Sequence, residues 1–273
     1  MIKKFRLIVF DIDGTLQNSK HEISAYTAGV IRRLQALGVL ITICTGKILP
    51  AVRSPAETLD IQIPIIMGNG SILQYANGQI IYTSFFTVEI VRKIIALISA
   101  YDVDISVFTP ESIYVRKITD SVEAMMGFGA PHPQEISSWE LMQGDVRRVI
   151  KFVMLNMGGA PALMPVADAL KSHLDGQVSY FPTMPYMLEI LPSGENKASG
   201  LRRLANYLKI KRSEIIAIGD GDNDAVMLEL AGLGVAVDNG TPLCKASADL
   251  IIESNDEDGP ARFLDGLMKA KPF

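Results

Sequence analysis

The chain has 273 residues, which favours two lobes, because a single hydrophobic core stops growing at roughly 250 to 300 residues. Hydrophobic residues make up 48% and charged residues 21%, a globular composition that excludes a disordered or collagen-like chain. A net charge of −4 lacks the Lys and Arg excess needed to hold a phosphate backbone, so no nucleic-acid partner is expected.

Residues 5–10 form a nearly unbroken apolar run ending in a Gly-containing turn, the pattern of a strand buried on both faces of a parallel sheet. Asp11 and Asp13 therefore sit at its carboxyl end. Ser24 suits the N-cap of a helix bearing Val30, Leu34 and Leu37, and Gly38 suits its end. A second apolar strand, 39–44, follows at once, and this strand, helix, strand order predicts a doubly wound α/β sheet with right-handed crossovers. Between 65 and 86 short strands gather around turn signals, with Asn77-Gly78 suited to a tight hairpin. A helix with Val91, Ile94, Ile95 and Ile98 on one face opens a mixed α+β pattern. Strands at 103–108, 112–116, 149–156 and 177–181 and a helix over 161–174 continue it. From Met187 the parallel-sheet pattern returns, with a helix over 197–208, strands at 215–218, 234–237 and 250–252, and a final helix. The expected organisation is a core of residues 1–84 and 189–273, split by an inserted lobe of residues 85–188.

Asp11 and Asp13 lie two apart just past a buried strand, so both carboxylates can face one site at the edge where open α/β sheets bind ligands. A carboxylate is ionised at neutral pH and can attack phosphorus without a base; a second carboxyl with a raised pKa can act as the acid. DIDGTLQNSKHE also matches a calcium loop at Asp11, Asp13 and Glu22. Its sixth position is Leu16 where such a loop needs Gly, and a strand replaces the entering helix. GDGDND, residues 219–224, again places hard oxygen ligands after a buried strand, and two acidic turns at matching strand ends point to one shared cation, Mg2+. An acid-decorated helix N-terminus is the plainer reading of that segment alone. Thr45 and Gly46 end the second strand with a hydroxyl and unhindered amides suited to phosphate oxygens. Lys197, opening a helix after SGEN, can set a positive charge against a transferring phosphoryl group.

The order Asp-x-Asp-Gly-Thr, strand-terminal Thr, Lys, Gly-Asp-x-x-Asn-Asp resembles the four motifs of the haloacid dehalogenase superfamily, and it spans the whole chain. With its α+β insertion between the second and third motifs, the chain looks like the Cof-type phosphatases of subfamily IIB. The resemblance implies a Rossmann-like core with an inserted C2B-type cap, Mg2+ as cofactor and an aspartyl-phosphate intermediate. It implies Asp11 as nucleophile and metal ligand, Asp13 as acid/base whose carbonyl also binds metal, and Asp220 as a further metal ligand. Asn223 and Asp224 would support phosphate and metal. Ile12 would give a backbone N–H, Thr45 and Gly46 would hold phosphate oxygens, and Lys197 would stabilise phosphoryl charge. Two positions depart from the pattern: Lys47 stands where Arg is usual, keeping charge without the bidentate fork, and GENK has unusual middle residues.

The expected substrate is a small phosphate ester, a sugar phosphate or a phosphorylated cofactor. A phosphomutase shares this apparatus, and a metal-binding module without catalysis is the rival of another class. Cys44 reads as a core thiol, and His21, His132 and His173 lack metal spacing. PTMPYML, with Met184 and Met187, suits an adaptable pocket or interlobe packing. Asp11 and Asp13 cut off the basic, apolar N-terminus, and no window reaches the roughly 18 apolar residues that span a bilayer, so a soluble, cytoplasmic protein without membrane contact is expected.

Overall fold

Strand β1 (Leu7–Phe10) is buried on both faces, the environment that four consecutive apolar residues require. The structure, a computed structural model, describes residues 2–127 and 130–270, and the architecture below is that of the described residues. After β1 come helix α1 (Ala25–Ala36), strand β2 (Leu40–Ile43) and helix α2 (Leu49–Thr58). Ser24 caps α1 by accepting the Thr27 N–H at 2.9 Å. Strands β3 (Ile65–Met67), β4 (Ile72–Gln74) and β5 (Ile80–Thr83) form a small antiparallel sheet, and Asn77-Gly78 lies in the turn joining β4 to β5.

A second sheet follows, built from different grammar. Helix α3 (Val88–Ile98), strands β6 (Asp104–Phe108) and β7 (Ile113–Val115), helix α4 (Asp120–Gly127), strands β8 (Gln134–Glu135) and β9 (Lys151–Leu155), helix α5 (Ala160–Leu174) and the hairpin β10 (Val178–Met184) and β11 (Met187–Pro192) compose it. The strand order is β10-β11-β9-β6-β7-β8. Its two faces separate by the period of two that strands impose. Val107, Phe152, Met154, Leu188 and Ile190 pack against α3 and α5, while Phe108, Val153, Leu155 and Met187 point the other way. Strand β11 runs across the expected lobe boundary at 188: its partners extend from Met184 to Val178 on β10, so the chain leaves this sheet only after Pro192. Phe152, fully buried and 5.5 Å from the Phe86 ring, anchors the helical side. Phe152→Ala is expected to cost about 3–5 kcal/mol. The readout is a lowered urea midpoint followed by the fluorescence of Trp139, which packs on the same cluster and is the chain's single tryptophan.

The chain then returns to the first sheet through α6 (Lys197–Leu208), β12 (Ile215–Gly219), α7 (Ala225–Leu230), β13 (Leu233–Val237), α8 (Pro242–Ala246), β14 (Leu250–Ile252) and α9 (Gly259–Lys269). That sheet is parallel throughout, in the order β14-β13-β12-β1-β2. Alternation again sorts its side chains: Ile8, Phe10, Ile216 and Ile218 meet α1 and α9, whereas Leu7, Val9, Ile215 and Ala217 meet α6 and α7. Helices on both faces make this an α/β, doubly wound core carrying an additional cap sheet. No helix among the described residues is long and apolar enough to cross a membrane.

Candidate active site

Strands β1 and β12 are neighbours in register, so the acidic turns that follow them emerge side by side. The Asp11 N–H donates to Ile218 O at 3.0 Å, carrying the chain one residue past the strand before residues Ile12–Leu16 turn away. Gly14 makes that turn at φ +72°, and a Cβ there would lie 2.4 Å from Asp220 Oδ2, so only glycine lets the two turns approach this closely. Thr15 Oγ1 donates across the gap to Asp220 Oδ1 at 2.6 Å.

Lys197 reaches this junction from the start of α6. Asn196 closes a capping box there, its side chain accepting the Ser199 N–H at 2.9 Å while Ser199 Oγ accepts the Asn196 N–H at 3.1 Å. Gly70, at φ +102°, abuts this cap so closely that a Cβ would fall 2.1 Å from Asn196 O. With its first residue thus fixed, α6 aims Lys197 Nζ to donate to Asp11 Oδ1 at 2.7 Å and to Asp224 Oδ1 at 2.5 Å, at 1% exposure. Asp224 is wholly buried, and its Oδ2 accepts the N–H groups of Asp220 and Gly221 at 3.0 and 2.9 Å.

Electrostatics sets the charge balance of this junction. Burial pushes Asp220 up to about 8, helped by repulsion from Asp11 and Asp224. Burial raises Asp224 to about 6, with Lys197 opposing it. Burial alone would lower Lys197, but Asp11 and Asp224 outweigh it and hold the ammonium well above its ordinary value. One oxygen from each of Asp11, Asp220 and Asp224 lies within 4.8 Å of the others. Three hard oxygen donors that repel one another, with a single ammonium between them, fit a small divalent cation such as Mg2+.

A pH dependence follows from the Asp220 shift. In the metal-free fold its pKa is raised above the ordinary 3.8, so its stabilising contribution is full below that value and is lost as pH rises through about 8. A cation must displace the same proton. Calorimetric Mg2+ titrations are expected to show apparent affinity rising by up to about tenfold per pH unit between about pH 6 and 8, then levelling. A flat profile would remove Asp220 from the metal site.

Asp13 leaves the same turn. Burial raises its carboxyl pKa against the opposing pull of Lys47, whose Nζ donates to Asp13 Oδ1 at 2.7 Å. Beside it, Thr45 N–H donates to Ile66 O at 2.9 Å and Thr45 Oγ1 accepts the Lys47 N–H at 3.2 Å, which shapes the loop holding Gly46. Asn223 Nδ2 donates to Asn69 Oδ1 at 3.0 Å. Asp11, Asp13, Thr45, Gly46, Asp220 and Asn223 thus share one cleft, with Lys197 and Asp224 beneath its floor; the Ile12 side chain is buried in the core. Cys44 is buried, and burial pushes its thiol up, consistent with a core residue.

The cleft runs between core and cap and measures about 890 Å³, its open mouth included. Two charged residues of the cap sheet close it against the core. Lys151 Nζ donates to Gly46 O and to Glu189 Oε2, both at 2.9 Å, and Glu189 Oε2 accepts from Asn69 Nδ2 at 3.0 Å. Asn69 holds a left-handed backbone at φ +51° between Gly68 and Gly70. None of Asn69, Lys151 and Glu189 belongs to a motif read from the sequence. The available signals were a charge inside each apolar run, VIKFVML and MLEILP, and the GNG turn.

A parallel α/β sheet whose carboxyl edge carries paired acidic turns beneath a cap defines a capped hydrolase. The family model for haloacid dehalogenase-like hydrolases matches residues 8–264. A Bacillus subtilis protein, 5-amino-6-(5-phospho-D-ribitylamino)uracil phosphatase YitU, is 28% identical over 94% of this chain and 96% of its own length. A haloacid dehalogenase-like hydrolase from Bacteroides thetaiotaomicron superposes with a TM-score of 0.86 at 29% identity, covering 96% of this chain and 99% of that one. The chloroplastic endoribonuclease YBEY of Arabidopsis thaliana is 30% identical over 94% of this chain, which spans only 46% of that protein. The chain belongs to the haloacid dehalogenase-like hydrolases.

Proposed function

We propose that the enzyme is a Mg2+-dependent phosphatase that hydrolyses a small phosphorylated metabolite, a sugar phosphate or phosphorylated cofactor, through an aspartyl-phosphate on Asp11. The observation that carries this reading is Lys197 held between Asp11 and Asp224, with Asp220 and Asp13 on the same edge. The Asp11 oxygen not held by Lys197 attacks phosphorus; as that O–P bond forms, the ester P–O bond breaks and Asp13 delivers its proton to the leaving oxygen. Water then attacks the phosphorus of the aspartyl-phosphate, returns a proton to Asp13 and frees Asp11. The raised pKa of Asp13 suits it to hold the first proton.

Thr45, Gly46, the Ile12 amide and Asn223 would hold phosphate oxygens, with Lys197 opposite the developing charge. Asp11, Asp220 and Asp224, with the Asp13 carbonyl, would hold Mg2+, which when bound neutralises phosphoryl and carboxylate charge. Residues 85–188 and the remainder of β11 form the cap that covers the cleft. Cys44 and Cys244 are buried and unbridged, which suits a reducing cytoplasm. The test is phosphate release from p-nitrophenyl phosphate, expected to require Mg2+ and to stop with EDTA. Turnover unaffected by chelation would refute the metal part, and binding of Mg2+ without any release would favour a non-catalytic module.

A further inference from the structure

The loop of residues 45–47, read above as a phosphate holder, is fastened from both lobes. Three of its backbone groups bond to the neighbouring core segment. The Thr45 N–H donates to Ile66 O, the Asn69 N–H to Thr45 O and the Gly68 N–H to Lys47 O, each at 2.9 Å. The carbonyl between them, Gly46 O, has no core donor among the described residues. Its partner is the Lys151 ammonium, 2.9 Å away on strand β9 of the cap. That ammonium is itself fixed, donating to Glu189 Oε2 at 2.9 Å and lying 4.5 Å from the centre of the Phe108 ring.

Stability does not account for these charges. The side chains of Lys151 and Glu189 are only 5% and 6% exposed, and a buried ion pair holds a structure no better than a well-packed apolar pair of similar volume. What the ammonium does is set a peptide plane. Gly46 O and the Lys47 N–H belong to one trans peptide and point in opposite directions, so the carbonyl held by Lys151 fixes where the N–H is aimed. It donates to Thr45 Oγ1 at 3.2 Å. The Thr45 hydroxyl, accepting there, donates to nothing among the described residues, which leaves its proton for a phosphate oxygen. A cation on the carbonyl also strengthens the N–H at the far end of the same peptide, and that in turn strengthens the hydroxyl as a donor. Glycine at position 46 lets this peptide rotate at little cost once the lysine is withdrawn.

We propose that Lys151 is a positioning residue of the reaction: from the cap it fixes the Gly46–Lys47 peptide, and through that peptide it orients the Thr45 hydroxyl toward the phosphoryl group. The phosphate site is then complete only with the cap in place. The inference rests on the phosphatase reading above and deepens it. It also differs measurably from recognition of the substrate by the cap. A lysine that contacts the leaving group matters according to what that group offers. A lysine that acts through Thr45 matters equally for every ester, and also for inorganic phosphate, which has no leaving group.

The experiment uses the full-length, Mg2+-loaded enzyme and the double variant Lys151→Met/Glu189→Gln, which removes the ammonium without orphaning a buried carboxylate and keeps an acceptor for Asn69. Its kcat/KM is expected to fall by about 10- to 100-fold for p-nitrophenyl phosphate, benzyl phosphate and glucose 6-phosphate alike, the three losses agreeing within about threefold. The competitive inhibition constant of inorganic phosphate should rise by about three- to tenfold, the range of one net hydrogen bond. Lys151→Arg, which keeps a cationic donor, should recover most of both losses. In a Thr45→Val background the double substitution should add no more than about threefold, because the relay ends at the hydroxyl. A loss confined to glucose 6-phosphate, an unchanged phosphate inhibition constant, or losses that multiply fully with Thr45→Val overturns the inference while leaving the phosphatase reading intact. Absence of phosphate release from p-nitrophenyl phosphate by the wild type overturns both.

Discussion

Asp11→Asn is expected to lower Mg2+-dependent phosphate release by at least about 10⁴-fold, because an amide neither attacks phosphorus nor ligates Mg2+ as a carboxylate does. The variant should nevertheless stay folded. In the metal-free protein Asp11 is one of the charges that push Asp220 and Asp224 upward, so the neutral amide removes repulsion from a buried site. Lys197 keeps its bond to the wholly buried Asp224. The melting temperature in EDTA is therefore expected to hold or rise, most visibly near pH 8, where Asp220 ionises. Loss of turnover together with a retained thermal transition assigns the effect to chemistry. Undiminished turnover would remove Asp11 from the reaction, and loss of folding would show that its pairing with Lys197 outweighs the repulsion.

The acidic turns were legible in the sequence because each follows a run of apolar residues that only a doubly buried strand accommodates, and a chemical group just past such a run has one place to go. Thr45 and Lys197 were legible through their order along the chain. The links between core and cap were not. Lys151 finds Gly46 across 105 residues and Glu189 finds Asn69 across 120, and no local pattern encodes such pairings. Strand β11 shows a related ambiguity. MLEILP reads as a return to the parallel core because a central strand of any sheet covered on both faces is continuously apolar, whichever sheet it joins. Helix α2 went unread because Pro55 lies inside it, where sequence grammar expects a stop.

Lys197→Met separates a catalytic site from a metal-binding one, because the two readings predict opposite consequences. Met matches the length of the lysine stem, but it removes the only cation bonded to Asp224 among the described residues, and both of the Asp224 oxygens are buried. Breaking one partner of a buried ion pair costs about 3–5 kcal/mol when the survivor stays charged. Asp224 avoids part of that cost by taking up a proton: with Lys197 gone, burial and Asp11 are opposed by the Gly221 N–H but no longer by a cation, and they raise its pKa further. A raised carboxyl pKa contributes stability that is lost as pH rises, so the gap in melting temperature between variant and wild type should widen from about pH 5 to pH 8 in EDTA. Mg2+ should narrow it, since removing a positive charge beside three carboxylates strengthens cation binding. Turnover should move the other way, falling by about 10²- to 10³-fold even at saturating Mg2+, as expected when a preorganised charge facing the transferring group is removed. Tighter Mg2+ binding with unchanged turnover would place Lys197 in the metal site alone; tighter binding with lost turnover is the signature of a lysine that acts on the phosphoryl group.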